Sequence, residues 1–542
     1  MKSTGRALVL AALVSLSTTM VASVALGATS SAPGHTADAT GRLTADFNGD
    51  GFADLAVGAP AENIGSISNA GSVNVIYGSA TGLAATGNQL WYEGAGGILR
   101  TAQADDLYGF SAAAGDFNED GFSDLAVGIP GKTVGSATSA GAVNVIYGSA
   151  AGLTSTGNQV WSQGDNGILD TAEQDDGFGN SLATGDLNGD GFADLVVAAA
   201  GEELDTNSGA GALNVIYGSA SGLASSGNQF WSEDTFSPFS AESDDFFGAV
   251  VSAGDFNGDG FGDVASGIPF RDGAVTTDSG QVRVIYGSMA GLTSAGSQVW
   301  DQDTPNIAGA SGNGDVFGFS LASGDLNGDT FADLAVGIPG ESIAGHPAAG
   351  AAAVIYGSAS GLATLGNQRW HQNTSGIPGA AESGDQFGFS VAIGDLNGDG
   401  NGDLAVGVDL ENIGRISNAG LVDVIYGSAS RLTSTGSQQW YQGASGIVGS
   451  AEKGDFFGFT LVIEDFGKGA PEDLAVSAPG ENLGTKVDAG VAQVIYGGST
   501  GLSSAGNQLW DQDSAGILGG AEAGDNFGFG LADGETLAPV HR

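Results

Sequence analysis

The sequence predicts an all-β protein, a seven-bladed β-propeller of four-stranded blades, on three observations. One pattern recurs seven times along the 542-residue chain, at spacings of 69 or 70 residues. Each copy contains four short apolar or alternating segments bounded by glycine, proline, serine or asparagine, as strands joined by tight turns are. The chain also contains 96 glycines without collagen-like triplets. Four strands per repeat, in four to eight repeats, indicate a propeller.

Four features follow the same period. All seven tryptophans do so, at Trp91, Trp161, Trp231, Trp300, Trp370, Trp440 and Trp510. So do seven of the ten tyrosines, each in "VIYG", at Tyr77, Tyr147, Tyr217, Tyr286, Tyr356, Tyr426 and Tyr496. An aromatic residue followed by glycine recurs at Tyr108, Phe178, Phe247, Phe317, Phe387, Phe457 and Phe527. An acidic loop begins at Asp46, Asp116, Asp186, Asp255, Asp325, Asp395 and, in degenerate form, Asp465.

The unit at residues 316–370 shows the four predicted strands of one blade. "VFGFSLASGD" precedes the acidic loop, and "DLAVGIP", "GAAAVIYGS" and "NQRW" follow it. We expect the repeated tryptophans and tyrosines to pack between strands, with sugar stacking on the tryptophans as the alternative. An open β-solenoid is the structural alternative, but solenoid repeats are usually far shorter.

The phase of the repeats predicts how the ring closes. The first acidic loop has no aromatic–glycine strand before it, and the last such strand, 526–533, has no acidic loop after it. We therefore predict that the carboxyl-terminal strand completes the first blade, which would remove the exposed strand edges of an open array. The segment Gly41–Ala45 is the alternative candidate for the same position.

The acidic loop "DFNGDGFAD" has the composition of a calcium loop. Asp46, Asn48 and Asp50 offer side-chain oxygens, Phe52 offers its carbonyl oxygen and Asp54 a bidentate carboxylate, while a glycine allows the sharp turn. Hard cations such as calcium take six to eight oxygen ligands. An EF-hand would have glutamate at the twelfth position, where Val57 stands. Plain Asp–Asn turns are the remaining alternative.

Six loops carry this pattern, and we predict about six calcium ions. Asp465 and Asp473 alone remain in the seventh loop, for which we predict no ion, and Thr330 replaces the glycine of the fifth. The predicted ligands are Asp46, Asn48, Asp50, Phe52 and Asp54; Asp116, Asn118, Asp120, Phe122 and Asp124; Asp186, Asn188, Asp190, Phe192 and Asp194; Asp255, Asn257, Asp259, Phe261 and Asp263; Asp325, Asn327, Asp329, Phe331 and Asp333; and Asp395, Asn397, Asp399, Asn401 and Asp403.

Charge and the start of the chain predict its setting. With 62 acidic and 14 basic residues the net charge is −48, which argues against nucleic-acid binding. The absence of cysteine excludes disulfides and thiolate chemistry. A basic start, an apolar stretch and small residues before position 28 predict a signal peptide at 1–27, with an uncleaved membrane anchor as the alternative. We expect a flexible segment at 28–40, the propeller over 41–542, and a secreted, extracellular monomer without a membrane span after cleavage.

The motif Phe317-Gly318, the loop "DLNGDTFAD" and the ending Gly337-Ile338-Pro339 resemble the FG-GAP repeat of the integrin α-subunit propeller. The resemblance extends over nearly all of residues 41–533. It implies a seven-bladed propeller whose calcium loops join the first and second strands of blades, and it carries the family's metal ligands onto the six loops above. Ala199-Ala200 and Val408-Asp409 replace the Gly-x-Pro ending in two units.

The resemblance and the loop pattern together predict an adhesion or ligand-binding protein. Loops carry function on rigid scaffolds, so we expect a protein or carbohydrate ligand on the face opposite the acidic loops, where integrins also bind ligands. A secreted hydrolase and a lectin are the alternatives. No catalytic constellation is recognised: the "GGSTG" at 497–501 matches a turn of other units, and His346 and His371 fall on no repeated position.

Overall fold

The computed structural model describes residues 45–236, 240–444, 446–469 and 471–532. The predicted signal peptide at 1–27, the predicted flexible segment at 28–40 and the last residue of the predicted closing strand, Asp533, lie outside the described residues. The described chain is all-β, apart from one short 3₁₀ turn at Glu233–Thr235.

Twenty-eight strands form seven four-stranded antiparallel sheets, which confirms the predicted propeller class. In chain order they are β1 (Leu55–Ala59), β2 (Ser72–Tyr77), β3 (Ala84–Trp91), β4 (Ala112–Gly115), β5 (Asp124–Ile129), β6 (Ala142–Tyr147), β7 (Thr154–Trp161), β8 (Leu182–Gly185), β9 (Asp194–Ala199), β10 (Ala212–Tyr217), β11 (Ala224–Trp231), β12 (Val250–Gly254), β13 (Asp263–Ile268), β14 (Gln281–Tyr286), β15 (Thr293–Trp300), β16 (Ser320–Gly324), β17 (Asp333–Ile338), β18 (Ala351–Tyr356), β19 (Ala363–Trp370), β20 (Ser390–Gly394), β21 (Asp403–Val408), β22 (Leu421–Tyr426), β23 (Thr433–Trp440), β24 (Leu461–Glu464), β25 (Asp473–Ala478), β26 (Val491–Tyr496), β27 (Ser503–Trp510) and β28 (Gly530–Ala532).

Blade 1 takes its innermost strand from the carboxyl end of the chain. Its order is β28–β1–β2–β3, with Val57 of β1 opposite Leu531 of β28. This is where the phase of the repeats places the strand; residues 41–44 of the alternative segment lie outside the described residues. Blades 2 to 7 each use four consecutive strands, and the first strands of neighbouring blades contact one another around the axis.

The strand boundaries differ from the sequence expectation in two respects. The aromatic–glycine pair lies before the first strand of a blade, so that β16 begins at Ser320 rather than at Val316. The fourth strand is longer than "NQRW" and spans Ala363–Trp370. It pairs with the third strand across a register shift between Val354 and Tyr356, which lets the polar outer strand begin earlier.

The tryptophans and tyrosines pack between neighbouring blades, as predicted. Trp161 and Trp370 are each 6% exposed. Each tyrosine also has a polar role that the sequence did not show. The Tyr77 hydroxyl donates to Gln89 Oε1 at 2.7 Å and accepts the Leu153 amide of the next blade at 3.1 Å, while Gln89 Nε2 donates to the Leu153 carbonyl at 3.0 Å.

This tyrosine–glutamine clip joins successive blades and also closes the ring. Between blades 7 and 1, Tyr496 accepts the Leu83 amide at 3.2 Å, and Gln508 Nε2 donates to the Leu83 carbonyl at 3.0 Å. The junction between the two ends of the chain therefore carries the same bonds as the junctions within it.

Candidate metal loops and the variable face

The first candidate metal loop is ordered by the carboxylate of its first aspartate. Asp46 Oδ1 accepts the backbone N–H groups of Gly49 at 2.6 Å and Asp50 at 3.1 Å, and its Oδ2 accepts that of Gly51 at 2.8 Å. The same contacts recur at Asp186, Asp255 and Asp395, so the loops share one conformation.

The ninth residue of each loop is a buried aspartate that ties the loop to its blade. Asp54 is fully buried, and its carboxylate accepts the Phe47 and Gly78 amides, each at 2.9 Å. Asp124, Asp194, Asp263, Asp333, Asp403 and Asp473 repeat both bonds. Burial raises the pKa of Asp54 well above its usual range, and the negative charges of Asp46 and Asp50 raise it further.

These loops fit a hard divalent cation in donor chemistry and charge. Three carboxylates of one loop interact unfavourably with each other, and a bound cation would relieve that repulsion. The side chains that could bind a metal are carboxylates and amides, whose oxygen atoms suit calcium rather than softer metals. In the third loop, Asn188 Nδ2 lies 3.3 Å from Asp194 Oδ2, so the amide would have to turn its oxygen toward a cation.

The loops contact one another around the ring. The carbonyl of Asp46 accepts the Ser123 amide of the next blade's loop at 3.0 Å. A Cβ added to Gly49 would lie 2.7 Å from the ring of Phe122, so this glycine leaves room for the neighbouring aromatic side chain. Ala53 of blade 1 donates in the same way to the Asp465 carbonyl of blade 7 at 2.9 Å. Order in one loop therefore supports order in the next.

The fifth and seventh loops depart from the pattern in different ways. In the fifth loop, Thr330 has the left-handed conformation of the glycine that it replaces, with φ of 75°. Its backbone N–H still donates to Asp325 Oδ2 at 2.7 Å. The seventh loop contains Lys468, whose Nζ lies 3.6 Å from the centre of the Tyr496 ring and donates to the Gly506 carbonyl at 2.5 Å. Lys468 also interacts electrostatically with Asp473. A basic side chain therefore lies in the loop in which the other predicted ligands are replaced.

The opposite side of the ring, which we call the variable face, carries the loops between second and third strands and between blades. A row of phenylalanines, one residue after the aromatic–glycine pairs, lies there near the axis. Ring centroids of neighbours are 5.2 to 5.5 Å apart in the series Phe319, Phe389, Phe459, Phe529 and Phe110. Asn180 and Ala249 occupy the same position in the other two units, so the row is interrupted on one side.

An aspartate two residues before each aromatic–glycine pair recurs in all seven units and is a turn residue. Asp176 Oδ2 accepts the Glu173 amide at 2.5 Å. The structure adds that these aspartates are buried beside a second ionisable residue. Asp106 accepts Lys132 Nζ at 2.9 Å, and the same ammonium group donates to Glu93 at 2.5 Å. Sequence inspection missed these partners because Glu93 and Lys132 lie 39 residues apart, and only the fold brings them together.

The remaining candidates lie apart from these clusters. Ser499 of the "GGSTG" segment lies in the turn between β26 and β27, and its backbone pairs with Gly501. His346 is exposed, and His371 Nδ1 lies 3.4 Å from Thr374. A groove of about 500 Å³ beside Trp161 is lined by Leu99, Arg100 and Asp165, and the last two form an ion pair at 2.9 Å.

Comparison with known proteins agrees with this geometry. The FG-GAP repeat matches residues 43–76, 108–146, 178–213, 247–285, 317–355 and 387–425. The chain is an FG-GAP repeat protein. The six matched segments correspond to the six complete acidic loops, and the unit with the degenerate loop at Asp465 is not among them.

Curated relatives of the FG-GAP protein fall into two groups. It is 36% identical over 156 residues to phosphatidylinositol-glycan-specific phospholipase D of Rattus norvegicus, covering 29% of this chain and 18% of the relative. It is 32% identical over 239 residues to integrin alpha-PS2 of Drosophila melanogaster, covering 43% and 15%. It is 31% identical over 253 residues to integrin alpha-8 of Mus musculus, which covers 44% of this chain and 20% of the relative. The matches span a fifth or less of these relatives.

Solved structures similar to the FG-GAP protein include rhamnogalacturonan lyase YesW, at 14% identity and a TM-score of 0.35, covering 72% of this chain and 67% of that one. A rhamnogalacturonan lyase of Bacillus licheniformis matches at 10% identity and a TM-score of 0.31, covering 79% and 72%. TM-scores this low carry no argument about function. Among the described residues of the FG-GAP protein, no helix is long and apolar enough to cross a membrane.

Proposed function

We propose that this FG-GAP protein is a secreted, extracellular adhesion or ligand-binding propeller, stabilised by calcium in six loops, that binds its partner through the variable face. The observation that carries the proposal is the separation of two kinds of loop onto two faces. The acidic loops repeat one set of hydrogen bonds around the ring. The loops of the variable face change their charged residues from unit to unit.

The likeness to integrin α subunits supports binding of a protein partner. A carbohydrate ligand is the second candidate, and the groove beside Trp161 supports it, because it places an aromatic side chain next to Arg100 and Asp165. A hydrolase on this scaffold stays an alternative that turnover of a polysaccharide or ester would establish.

Calcium in the loops would act as a scaffold rather than as a catalyst. Extracellular calcium sites bind with dissociation constants of roughly 0.1–1 mM, so ~1 mM calcium would add about 1.4 kcal/mol per site at the tighter end. Six such sites would add roughly 8 kcal/mol to the free energy of unfolding. The Asp, Asn and backbone oxygens of each loop would hold the ion, and the buried ninth aspartate would link it to the blade.

The test is a binding screen of the purified chain against a glycan array and a panel of immobilised extracellular proteins, each with 1 mM calcium and with excess chelator. We expect saturable, calcium-dependent binding to one partner class. Charge-reversing substitutions of exposed residues on the variable face should abolish it, for instance at Glu203 and Asp205. Introducing a charge at the exposed Thr156 of an outer strand should leave it intact. Binding that ignores the variable face would contradict the proposal.

A further inference from the structure

A buried polar cluster recurs on the variable face between neighbouring blades. Each cluster combines the residue two positions after the tryptophan, the aspartate before the aromatic–glycine pair, and the third residue after the second strand. The seven sets are Gln512–Asp525–Glu62, Glu93–Asp106–Lys132, Gln163–Asp176–Glu202, Glu233–Asp245–Arg271, Gln302–Asp315–Glu341, Gln372–Asp385–Glu411 and Gln442–Asp455–Glu481.

Three of these clusters contain a basic side chain of the protein itself. Lys132 lies 2.5 Å from Glu93 and 2.9 Å from Asp106, and all three residues are buried. Arg271 lies 2.5 Å from Asp245, and the neighbouring Glu233 is paired with Arg283 at 2.8 Å. Arg369 lies 2.6 Å from Glu341. At each of these places a positive charge stands among the buried carboxylates.

The other four clusters have carboxylates instead. Among the ion pairs of the described residues, none brings lysine or arginine to them. Each has a third carboxylate three residues before its aspartate, at Glu173, Glu382, Glu452 or Glu522. A dication in such a cluster of three carboxylates would leave a net charge of −1. Two carboxylates and Lys132, in the cluster of blades 1 and 2, also leave a net charge of −1.

Buried oxygens without partners point to a ligand in these four clusters. Asp176 and Gln163 are 0% and 1% exposed, and neither Asp176 Oδ1 nor Gln163 Oε1 has a hydrogen-bond partner among the described residues. The same two atoms lack partners in the other three clusters: Asp385 and Gln372, Asp455 and Gln442, and Asp525 and Gln512. Leaving such acceptors unpaired in the interior is unfavourable.

The cluster of Gln163, Asp176 and Glu202 has carboxylate oxygens close enough together to bind one cation. Glu173, Asp176 and Glu202 each place a carboxylate oxygen within 4.8 Å of the other two. Gln163 Nε2 donates to Glu202 Oε2 at 2.5 Å, and Asp176 Oδ2 is held by the Glu173 amide. Burial raises the pKa of Glu202 to about 9, and the negative charge of Asp176 raises it further. A cation would relieve both costs.

We propose that Glu173, Asp176 and Glu202 form a divalent-cation site between blades 2 and 3, separate from the Asp–Asn loops, and that three other blade junctions repeat it. The oxygen-only donor set selects a hard cation, calcium first. At the other three junctions, the buried carboxylates are partly neutralised by a basic side chain instead, namely Lys132, Arg271 or Arg369. The exposed position of Glu173 leaves such an ion open to solvent and to a partner on the variable face.

The test uses calcium binding to the full chain, measured by equilibrium dialysis. The double variant Gln163→Glu with Glu202→Lys copies the arrangement of Glu93 and Lys132, and we expect it to bind one calcium ion fewer per chain. Glu202→Gln, which keeps the shape of the side chain, should also lose one ion. Asp205→Asn, at an exposed residue of the same loop, is the matched control and should bind as many ions as the wild type.

The reverse exchange gives an independent result. Glu93→Gln, Lys132→Glu and Gln103→Glu together rebuild the four-residue cluster in blade 2, and this variant should gain one ion. Folded variants that neither lose nor gain an ion would overturn the proposal. Loss of the junction ion can be told apart from loss of a loop ion. Asp186→Asn in the third loop should remove the ion of that loop and leave the ion at Glu202 in place.

Discussion

At the scale of single residues, the buried ninth aspartate of each loop has a structural role, and in six of the loops it is also a predicted calcium ligand. Asp124 is 0% exposed and holds the amides of Phe117 and Gly148 at 3.0 and 2.8 Å. The sequence predicted this residue as a ligand from its position in the loop. It could not show that the same carboxylate fastens the loop to the third strand, because Gly148 is 24 residues away.

The substitution Asp124→Asn separates the two roles. The amide keeps one acceptor for the backbone but loses the charge that would bind calcium, so we expect a loss of roughly 1–2 kcal/mol of stability in 1 mM calcium. In excess chelator the loss should be smaller, because burial already favours the neutral form of Asp124. Thermal unfolding with and without chelator measures both, with Asp205→Asn as the exposed control. Equal losses in the two conditions would remove calcium from this loop.

The buried carboxylates also predict how stability depends on pH in chelator. Burial raises the pKa of Asp176 to about 7, of Glu411 to about 7 and of Asp263 to about 8. A folded-state pKa above the unfolded value of about 4 favours the folded state at low pH, and that contribution is lost as pH rises through 7 to 8.

We therefore expect the melting temperature in chelator to be higher at pH 6 than at pH 8.5. Calcium binds the deprotonated carboxylates, so excess calcium should flatten or reverse this trend. A melting temperature in chelator that rises between pH 6 and pH 8.5 would mean that these carboxylates are not buried as described.

At the scale of the elements, each blade is fastened to the next by the tyrosine–glutamine clip. We expect Tyr77→Phe to lower the free energy of unfolding by about 1–2 kcal/mol, because the Leu153 amide and Gln89 Oε1 both lose a partner. Tyr92→Phe, at a half-buried tyrosine outside the repeated position, is the control. Urea unfolding midpoints compare the two, and an equal effect would show that the hydroxyl of Tyr77 contributes nothing.

The closing strand β28 is the second element-scale prediction. A chain ending at residue 525 lacks the partner of Ala56, Val57 and Gly58 and exposes that edge of β1. We expect it to melt at a lower temperature and to self-associate, since unpaired edges template further pairing. A chain ending at Asp533 keeps β28 and is the control. Identical melting and sedimentation of the two truncated chains would contradict closure by this strand.

At the scale of the whole molecule, the sequence predicted the repeated blades and loops. It did not predict the contacts that join one repeat to the next. Seven tryptophans, seven tyrosines and the acidic loops fixed the blade count and the loop positions. The junction clusters were not foreseen, because members such as Gln163 and Glu202 lie 39 residues apart and only the fold brings them into contact. The interblade role of Tyr77 was hidden for a similar reason, since its partner Leu153 belongs to another repeat.

The ring as a whole has basic side chains at some of the equivalent positions and only carboxylates at others. The seventh loop has Lys468 where the other six have a complete ligand set, and three blade junctions have basic side chains where four have only carboxylates. With a net charge of −48, the chain concentrates carboxylates that bound cations would neutralise. Removing calcium should then weaken the six blades that have complete loops. About 8 kcal/mol would lower the melting temperature by roughly 8 °C in a chain of this size.

The most direct measurement is an anomalous-scattering map from crystals grown in calcium chloride. Cation stabilisation of the ring predicts peaks in the six loops that begin at Asp46, Asp116, Asp186, Asp255, Asp325 and Asp395, and none between Asp465 and Asp473. Empty loops at millimolar calcium, or a peak beside Lys468 in the seventh, would contradict it.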